Sequence, residues 1–280
     1  VYQREGVYPT VPPFVLGQEG AGTVTAVGDE VDGFAVGDRV AWPFALGSAG
    51  SLVCVPARNL VRVPDAVHLE TAAAVMLQGL TAHYLTRSTY PVGPGTTALV
   101  HAAAGGVGQL LVQMVKALGG MVIATAGSDE KCSTAAELGA DDTINYRTEA
   151  DLAAAVRAAM GGAGVDVVYD GVGKDTFEAS LASLRPRGLL ALYGAASGQV
   201  PPFDLQRLNA AGSLFVTRPS LPHHIATPAE LAWRADDVLA AIAEGTLRVA
   251  VGGRYPLAEA AAAYADLESR RSQGKLLLIP

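Results

Sequence analysis

Leu99-Val100-His101-Ala102-Ala103-Ala104-Gly105-Gly106-Val107-Gly108 follows a short apolar run and precedes a helix-period run from Gln109 to Leu118. In the frame G-x-G-x-x-G the glycine positions fall on Ala103, Gly105 and Gly108, with alanine replacing the first. The second glycine lets the backbone approach a pyrophosphate and the third lets the helix pack tightly on its strand. The helix N-terminus adds free N–H groups and the positive end of its dipole. An ordinary strand-to-helix turn shares this glycine spacing. The strand before it, the helix after it and the further βα units downstream mark it as a dinucleotide-binding turn.

The next strand, Met121 to Ala126, would ordinarily end at an acid that holds the adenosine ribose hydroxyls. Here it runs into Gly127-Ser128-Asp129-Glu130-Lys131. Gly127 presents no carboxylate to a 2′-phosphate, while Ser128 and Lys131 offer a hydroxyl and a cation, so the reading is NADPH over NADH. Asp129 and Glu130 also suit the first turn of a helix, where negative charge complements the dipole, and Lys131 also suits a solvated surface.

Half of the 280 residues are hydrophobic, enough for a large buried core in one or two domains. A net charge of -7 without a basic run argues against nucleic acid or an anionic membrane surface as the principal partner. Cys54 and Cys132 are too few and too isolated for a disulfide framework, and both are expected to be core thiols in a reducing cytoplasm. There is no apolar stretch of about 18 residues and no signal-peptide pattern, so the expectation is a soluble, cytoplasmic protein. The chain opens at Val1 in mid-pattern, and a preceding segment is expected that is not represented.

From Phe14 to Val63, short runs at Gly22 to Val27, Arg39 to Trp42 and Leu52 to Val55 alternate with turn clusters, which predicts an antiparallel, barrel-like domain. A helix is predicted from Leu69 to Leu85. Strands follow at Thr97 to His101, Met121 to Ala126, Thr143 to Asn145, Val165 to Asp170, Gly188 to Tyr193 and Ser213 to Thr217. The helices between them are read at Gly105 to Leu118, Asp129 to Leu138, Glu149 to Met160 and Lys174 to Leu184. Six strands with helical crossovers make a doubly wound parallel sheet. After Arg218 a helix from Pro228 to Glu244, a strand near Arg248 to Val251, a helix from Leu257 to Leu267 and a strand Lys275 to Ile279 are too little for a third domain. They return to complete the first. The α/β chain is thus read as residues 1–79 with 220–280 around an inserted nucleotide domain, 80–219.

Gly17-Gln18-Glu19-Gly20-Ala21-Gly22 in the first part and Ala102 to Gly108 in the second resemble the medium-chain dehydrogenase/reductase superfamily, with its GroES-like catalytic domain and Rossmann domain. Leu77-Gln78-Gly79-Leu80-Thr81-Ala82, Val168-Tyr169-Asp170-Gly171-Val172-Gly173, Gly212 to Pro219 and Leu276 to Pro280 narrow the resemblance to the zinc-independent quinone oxidoreductases, the zeta-crystallin branch. It runs through essentially the whole chain, with the family's first few dozen residues absent. The resemblance implies cofactor contacts at Gly105, Gly106, Val107 and Gly108, and 2′-phosphate contacts at Ser128, Lys131, Tyr146 and Arg270, with Arg271 a competitor for the last. It places Thr81 near the nicotinamide and Tyr2 and Tyr8 in the substrate cleft. Where relatives often carry asparagine this chain has Ala195, which removes one amide contact to the cofactor. The resemblance also implies a homodimer formed through the nucleotide domain, with Ser213 to Thr217 as the pairing edge.

Zinc-dependent members hold their catalytic metal with cysteine and histidine, and a structural one with four closely spaced cysteines. Gln18 stands where that histidine would be and no cysteine cluster exists, so no metal is expected. Without a Lewis acid the acceptor must itself be electrophilic, as quinones and conjugated carbonyls are. His83, His101 and the pair His223-His224, read as a hinge-like loop, are expected to be structural. The expected activity is NADPH-dependent quinone reduction in the cleft between the domains. The alternatives are NADPH-dependent reduction of an enone or alkenal, and a non-catalytic NADPH-binding protein with a structural or RNA-contacting role.

Overall fold

The computed structural model describes residues 11–269 and 273–280. The chain divides into two units, one formed by Val1–Leu80 with Ile225–Pro280 and the other by Thr81–His224.

The first unit opens with β1 (Gly20–Thr23), β2 (Arg39–Trp42) and β3 (Val61–Arg62), an antiparallel sheet in that order. Gly20 lies opposite Trp42, and a β-carbon there would come 2.6 Å from the indole, so a bare backbone is what lets the ring lie across β1. Helix α1 (Leu69–Tyr84) carries one acid, Glu70, and one histidine, His83, and buries Ala72, Val75, Met76 and Leu80, as a helix apolar on most faces must.

The second unit alternates strand and helix: β4 (Thr97–Val100), α2 (Gly106–Ala117), β5 (Met121–Ala126), α3 (Asp129–Glu137), β6 (Asp142–Asn145), α4 (Leu152–Ala159), β7 (Val165–Asp170), α5 (Phe177–Ser183), β8 (Leu184–Leu192), α6 (Gln206–Ala210), β9 (Phe215–Thr217) and α7 (Leu221–His224). The six strands form a parallel sheet in the order β6-β5-β4-β7-β8-β9. The strand order therefore reverses between β4 and β7, which in such sheets opens a crevice at the carboxyl ends. The central strands are buried on both faces and correspondingly continuous in apolar residues, as in Ala98-Leu99-Val100 and Val167-Val168-Tyr169.

The chain then returns to the first unit as α8 (Pro228–Ala243), β10 (Val251–Pro256), α9 (Ala260–Glu268) and β11 (Lys275–Ile279). Thr227 and Glu230 close a capping box on α8, with Pro228 in its first turn. Helix α8 crosses α1 at Gly79, where a β-carbon would lie 3.0 Å from Val238.

Several sequence expectations are corrected. Leu52 to Val55 forms no strand, because an apolar run becomes one only where a neighbour accepts its ladder; the third strand lies at Val61–Arg62 instead. The first strand is Gly20–Thr23 rather than Gly22 to Val27, and β10 begins at Val251 rather than ending there. It pairs with β11 in parallel, the geometry that the α9 crossover demands. Helix α4 starts at Leu152, not Glu149, because the Asp151 carboxylate accepts from Ala154 N–H at 3.0 Å and caps it there. Strand β8 starts four residues before Gly188, the register shifting between Leu184 opposite Val165 and Leu189 opposite Val167, with Arg187 at φ 62° in the bulge. Cys54 is exposed; only Cys132 is a buried thiol.

At the amino end of the sheet one carboxylate ties three strands. Asp166 on β7 accepts from Thr97 N–H at 2.6 Å and Thr97 Oγ1 at 2.8 Å on β4, and from Arg185 Nε at 2.6 Å on β8. Burial raises its pKa, but the Thr97 amide, the Arg185 guanidinium and the Thr97 hydroxyl together outweigh that and hold it below the ordinary 3.8. A carboxyl depressed in the folded state stabilises above its unfolded pKa and loses that contribution as pH falls through the folded one. Asp166→Ala is expected to lower the unfolding free energy by about 2–3 kcal/mol at neutral pH. In urea titrations the difference from wild type should shrink progressively below about pH 4; a difference independent of pH would contradict this role.

Candidate functional site

The turn from β4 into α2 is held from below by its neighbours in the sheet. His101 N–H donates to the Tyr169 carbonyl at 3.1 Å and Ala103 N–H to the Thr125 carbonyl at 3.0 Å, and Gly105 N–H closes a turn on Ala102 at 2.8 Å with Ala102 at φ 50°. The buried Gln109 side chain donates to the Ala104 carbonyl at 2.8 Å. A β-carbon on Gly108 would meet the Ala102 carbonyl oxygen at 2.4 Å and Ala103 Cα at 2.8 Å. Only glycine allows α2 to start this close to the strand. Gly105 caps the helix without a side-chain bond, so the first-turn amides of Gly106, Val107 and Gly108 point out of the helix end, as the first amides of any helix do.

On the other side of the crossover, Asp170 ends β7 fully buried. Its Oδ1 accepts from Val172 N–H at 2.8 Å and Gly173 N–H at 3.0 Å, and its Oδ2 from Thr176 Oγ1 at 2.7 Å and Ser180 Oγ at 2.8 Å. The carboxylate thus shapes the loop Gly171-Val172-Gly173. Ser180 Oγ also lies 3.0 Å from His101 Nε2, and His101 Nδ1 lies 2.9 Å from Thr125 Oγ1. Because the Ser180 proton goes to a carboxylate that can only accept, Ser180 must accept from His101 Nε2–H. Burial lowers the ring's pKa against the opposing pull of Asp170 and so favours the neutral form, in which Nδ1 accepts from Thr125 Oγ1. The loop after β8 locks onto this one: Ser197 N–H and Oγ both donate to the Val172 carbonyl, at 2.8 and 2.9 Å. Ala195 sits in that loop, its Cα 3.0 Å from where a Gly173 β-carbon would be.

At the carboxyl end of β5, Ser128 N-caps α3, accepting from Lys131 N–H at 3.3 Å. Tyr146, just past β6, lies over Gly127: a β-carbon there would come within 2.5 Å of the tyrosine hydroxyl and 3.5 Å of Arg147 Nε. Gly127, Ser128, Tyr146 and Arg147 thus meet at one corner, with Lys131 in the first turn of α3 beside it. Asn145 Nδ2 donates to Asp129 Oδ1 at 2.7 Å. Thr81 is buried in α1 and has a partner within the structure. Tyr2, Tyr8, Arg270 and Arg271 lie outside the described residues.

In the first unit the Glu19 carboxylate pairs with Lys275 Nζ on β11 and accepts from Leu77 N–H at 2.8 Å. It is a staple between three segments. Among the described residues no three His, Cys, Asp or Glu side chains converge as metal ligands. Gln18 and Glu19 line a cavity of about 980 Å³, together with Trp42, Gln78, Tyr264 and Lys275. His223 and His224 form the one-turn helix α7 rather than a loop, and His224 stacks on Tyr84 at 4.2 Å with 4° between planes.

Residues 106–227 match the zinc-binding dehydrogenase family and residues 1–65 the alcohol dehydrogenase GroES-like domain. A quinone oxidoreductase of Pseudomonas aeruginosa is 47% identical over 281 residues, covering 100% of this chain and 86% of that protein. The chain belongs to the quinone oxidoreductase family. The solved structure of Escherichia coli quinone oxidoreductase complexed with NADPH superposes at a TM-score of 0.97, with 44% identity over 100% of this chain and 86% of that one. A 2-haloacrylate reductase of Burkholderia sp is 43% identical, covering 100% of this chain and 86% of that protein. The family's two-part architecture is the one seen here: GroES-like segments and a six-stranded Rossmann sheet.

Sequence reading missed Asp170 and its hydrogen-bonded chain, and it did not place Arg147 beside Gly127. Asp170→Ala would strand two loop amides and two hydroxyls. A drop of about 3 kcal/mol in urea-derived unfolding free energy is expected; a midpoint within error of wild type would show that the loop does not depend on this carboxylate.

Proposed function

We propose that the protein is an NADPH-dependent quinone oxidoreductase, its second unit holding the cofactor and its first unit belonging to the substrate side. The observation that carries this reading is the carboxyl edge of the parallel sheet. A helix N-terminus is brought against the switch point by Gly105 and Gly108, and a glycine with nearby hydroxyl and cationic groups stands where an NAD-type acid would be. These residues fit a dinucleotide. The close approach at Gly108 seats the first turn of α2 on the end of β4, and the α2 amides supply donors. Gly105, Gly106, Val107 and Gly108 would hold the diphosphate, and Ser128, Lys131, Tyr146 and Arg270 the adenosine phosphate. Thr81 would sit near the nicotinamide, with Tyr2 and Tyr8 at the substrate.

NADPH supplies the hydride when bound. The chain's own groups orient the reactants and keep water away. His101 is fully enclosed between two hydroxyl partners, where burial lowers its pKa, and His224 is stacked on Tyr84. Gln18 is an amide and Glu19 is engaged by Lys275 and Leu77, a donor set unsuited to zinc. An acceptor that delocalises incoming charge over its own π-system, a quinone, matches these means.

A second reading, reduction of an activated alkene, is supported by the 2-haloacrylate reductase relative. For assembly we favour a homodimer through β9, the sheet edge on which Phe215 and Val216 are exposed. A cytoplasmic setting accords with the two unpaired cysteines. No helix among the described residues is long and apolar enough to cross a membrane.

Purified protein is expected to oxidise NADPH when a quinone is added and only marginally without it, with the rate unchanged after dialysis against a chelator. Turnover faster on an enone than on any quinone would favour the second reading, and loss of turnover on chelation would contradict the metal-independent one.

A further inference from the structure

Asp170 closes β7 as a fully buried carboxylate with four donors on it: the Val172 and Gly173 amides on Oδ1, and the Thr176 and Ser180 hydroxyls on Oδ2. Two amides that can only donate, and two hydroxyls at 2.7 and 2.8 Å, are the partners of an ionised carboxyl. All four donors are neutral. Among the described residues no lysine or arginine pairs with Asp170. His101 is reached only through Ser180, and burial favours its uncharged form. From β8 the Tyr193 ring closes over Gly171, where a β-carbon would come 2.8 Å from it. Burial, then Asp170 and Tyr84, push the Tyr193 phenol above its ordinary 10.0, which keeps it neutral. The carboxylate thus holds a negative charge away from water with no counter-charge beside it. Where screening is weak, such a charge acts over about 10 Å.

A sheet of this topology is two mononucleotide-binding halves joined at the switch point, β4-β5-β6 on one side and β7-β8-β9 on the other. With adenosine at the ends of β5 and β6, the nicotinamide half falls to the ends of β7 and β8, where Asp170 holds the loop Gly171-Val172-Gly173. We propose that the Asp170 charge favours the oxidised, cationic nicotinamide over the reduced, neutral one, and so eases hydride release to the acceptor. The inference deepens the NADPH reading and rests on it. Hydride transfer carries two electrons and one hydrogen to the quinone, which takes its second proton from water, and leaves one positive charge on the nicotinamide ring. A negative charge already fixed by four hydrogen bonds favours that change without having to reorganise.

The test is equilibrium binding of NADPH and of NADP⁺ by titration calorimetry, with thermal unfolding as a folding control. The readout is the ratio of the two affinities, because a loosened loop weakens both nucleotides alike. Asp170→Asn removes the charge and keeps the shape: its amide oxygen can take the two backbone N–H groups, and its NH₂ can donate to the two hydroxyls. It should lower the affinity for NADP⁺ relative to NADPH by about tenfold, the factor that a unit charge exerts over about 10 Å at the effective screening of a protein. Ser180→Ala removes a hydrogen bond and leaves the charge, so its ratio should stay within about twofold of wild type. Thr176→Lys sets an ammonium beside the intact carboxylate from a half-buried position, and should move the ratio in the same direction as Asp170→Asn. It decides the question should the asparagine variant not fold. Equal weakening of both nucleotides, an unchanged ratio, or a Ser180→Ala ratio shifted as far as that of Asp170→Asn overturns the proposal and leaves the cofactor reading standing. A wild type that binds neither nucleotide overturns both.

Discussion

The carboxyl edge of the parallel sheet depends on one close approach, that of the first turn of α2 to the end of β4. At Gly108 there is no room for even a methyl group against the Ala102 carbonyl. A larger residue would lift the helix from its strand and withdraw the amides that make its N-terminus an anion site. Ala102 is held at φ 50°, a conformation alanine adopts reluctantly, and the bonds from β5 and β7 to Ala103 and His101 keep the turn in that shape. The surrounding sheet thus imposes the turn's geometry.

The same economy of backbone recurs along the edge. The loops after β7 and β8 cross so closely that a β-carbon on Gly194 would sit 2.3 Å from the Gly171 carbonyl. Asp170 and Ser197 supply the polar contacts that keep this crossing in register. Below them the chain Asp170, Ser180, His101, Thr125 pairs each of its buried polar heads, and so pins the ends of β4, β5 and β7 to α5. In the first unit the pairing of Glu19 with Lys275 does comparable work, joining the lead of β1 to β11 across 256 residues of sequence.

The architecture was legible because its signals are local. Met121 to Ala126, Val165 to Asp170, Arg39 to Trp42 and Lys275 to Ile279 are apolar runs bounded by turns, and each forms the strand read from it. The glycine turn announced itself for the same reason. What stayed hidden is non-local. Arg147 reaches Gly127 only through the β5–β6 register, twenty residues apart in the chain, and a lone arginine after a tyrosine carries no motif. His101 and Ser180 meet across 79 residues. Leu52 to Val55 has the composition of a strand and, among the described residues, no strand beside it, which composition cannot reveal.

The central claim is that a phosphorylated dinucleotide lies across the carboxyl edge at the β4–β7 switch point, with its diphosphate on the α2 amides. Backbone hydrogen exchange with and without NADPH tests it most directly. The account predicts slowed exchange concentrated in residues 102–109, 127–131, 146–147 and 171–173. Slowing confined to the first unit, with the turn from β4 into α2 unchanged, would contradict it.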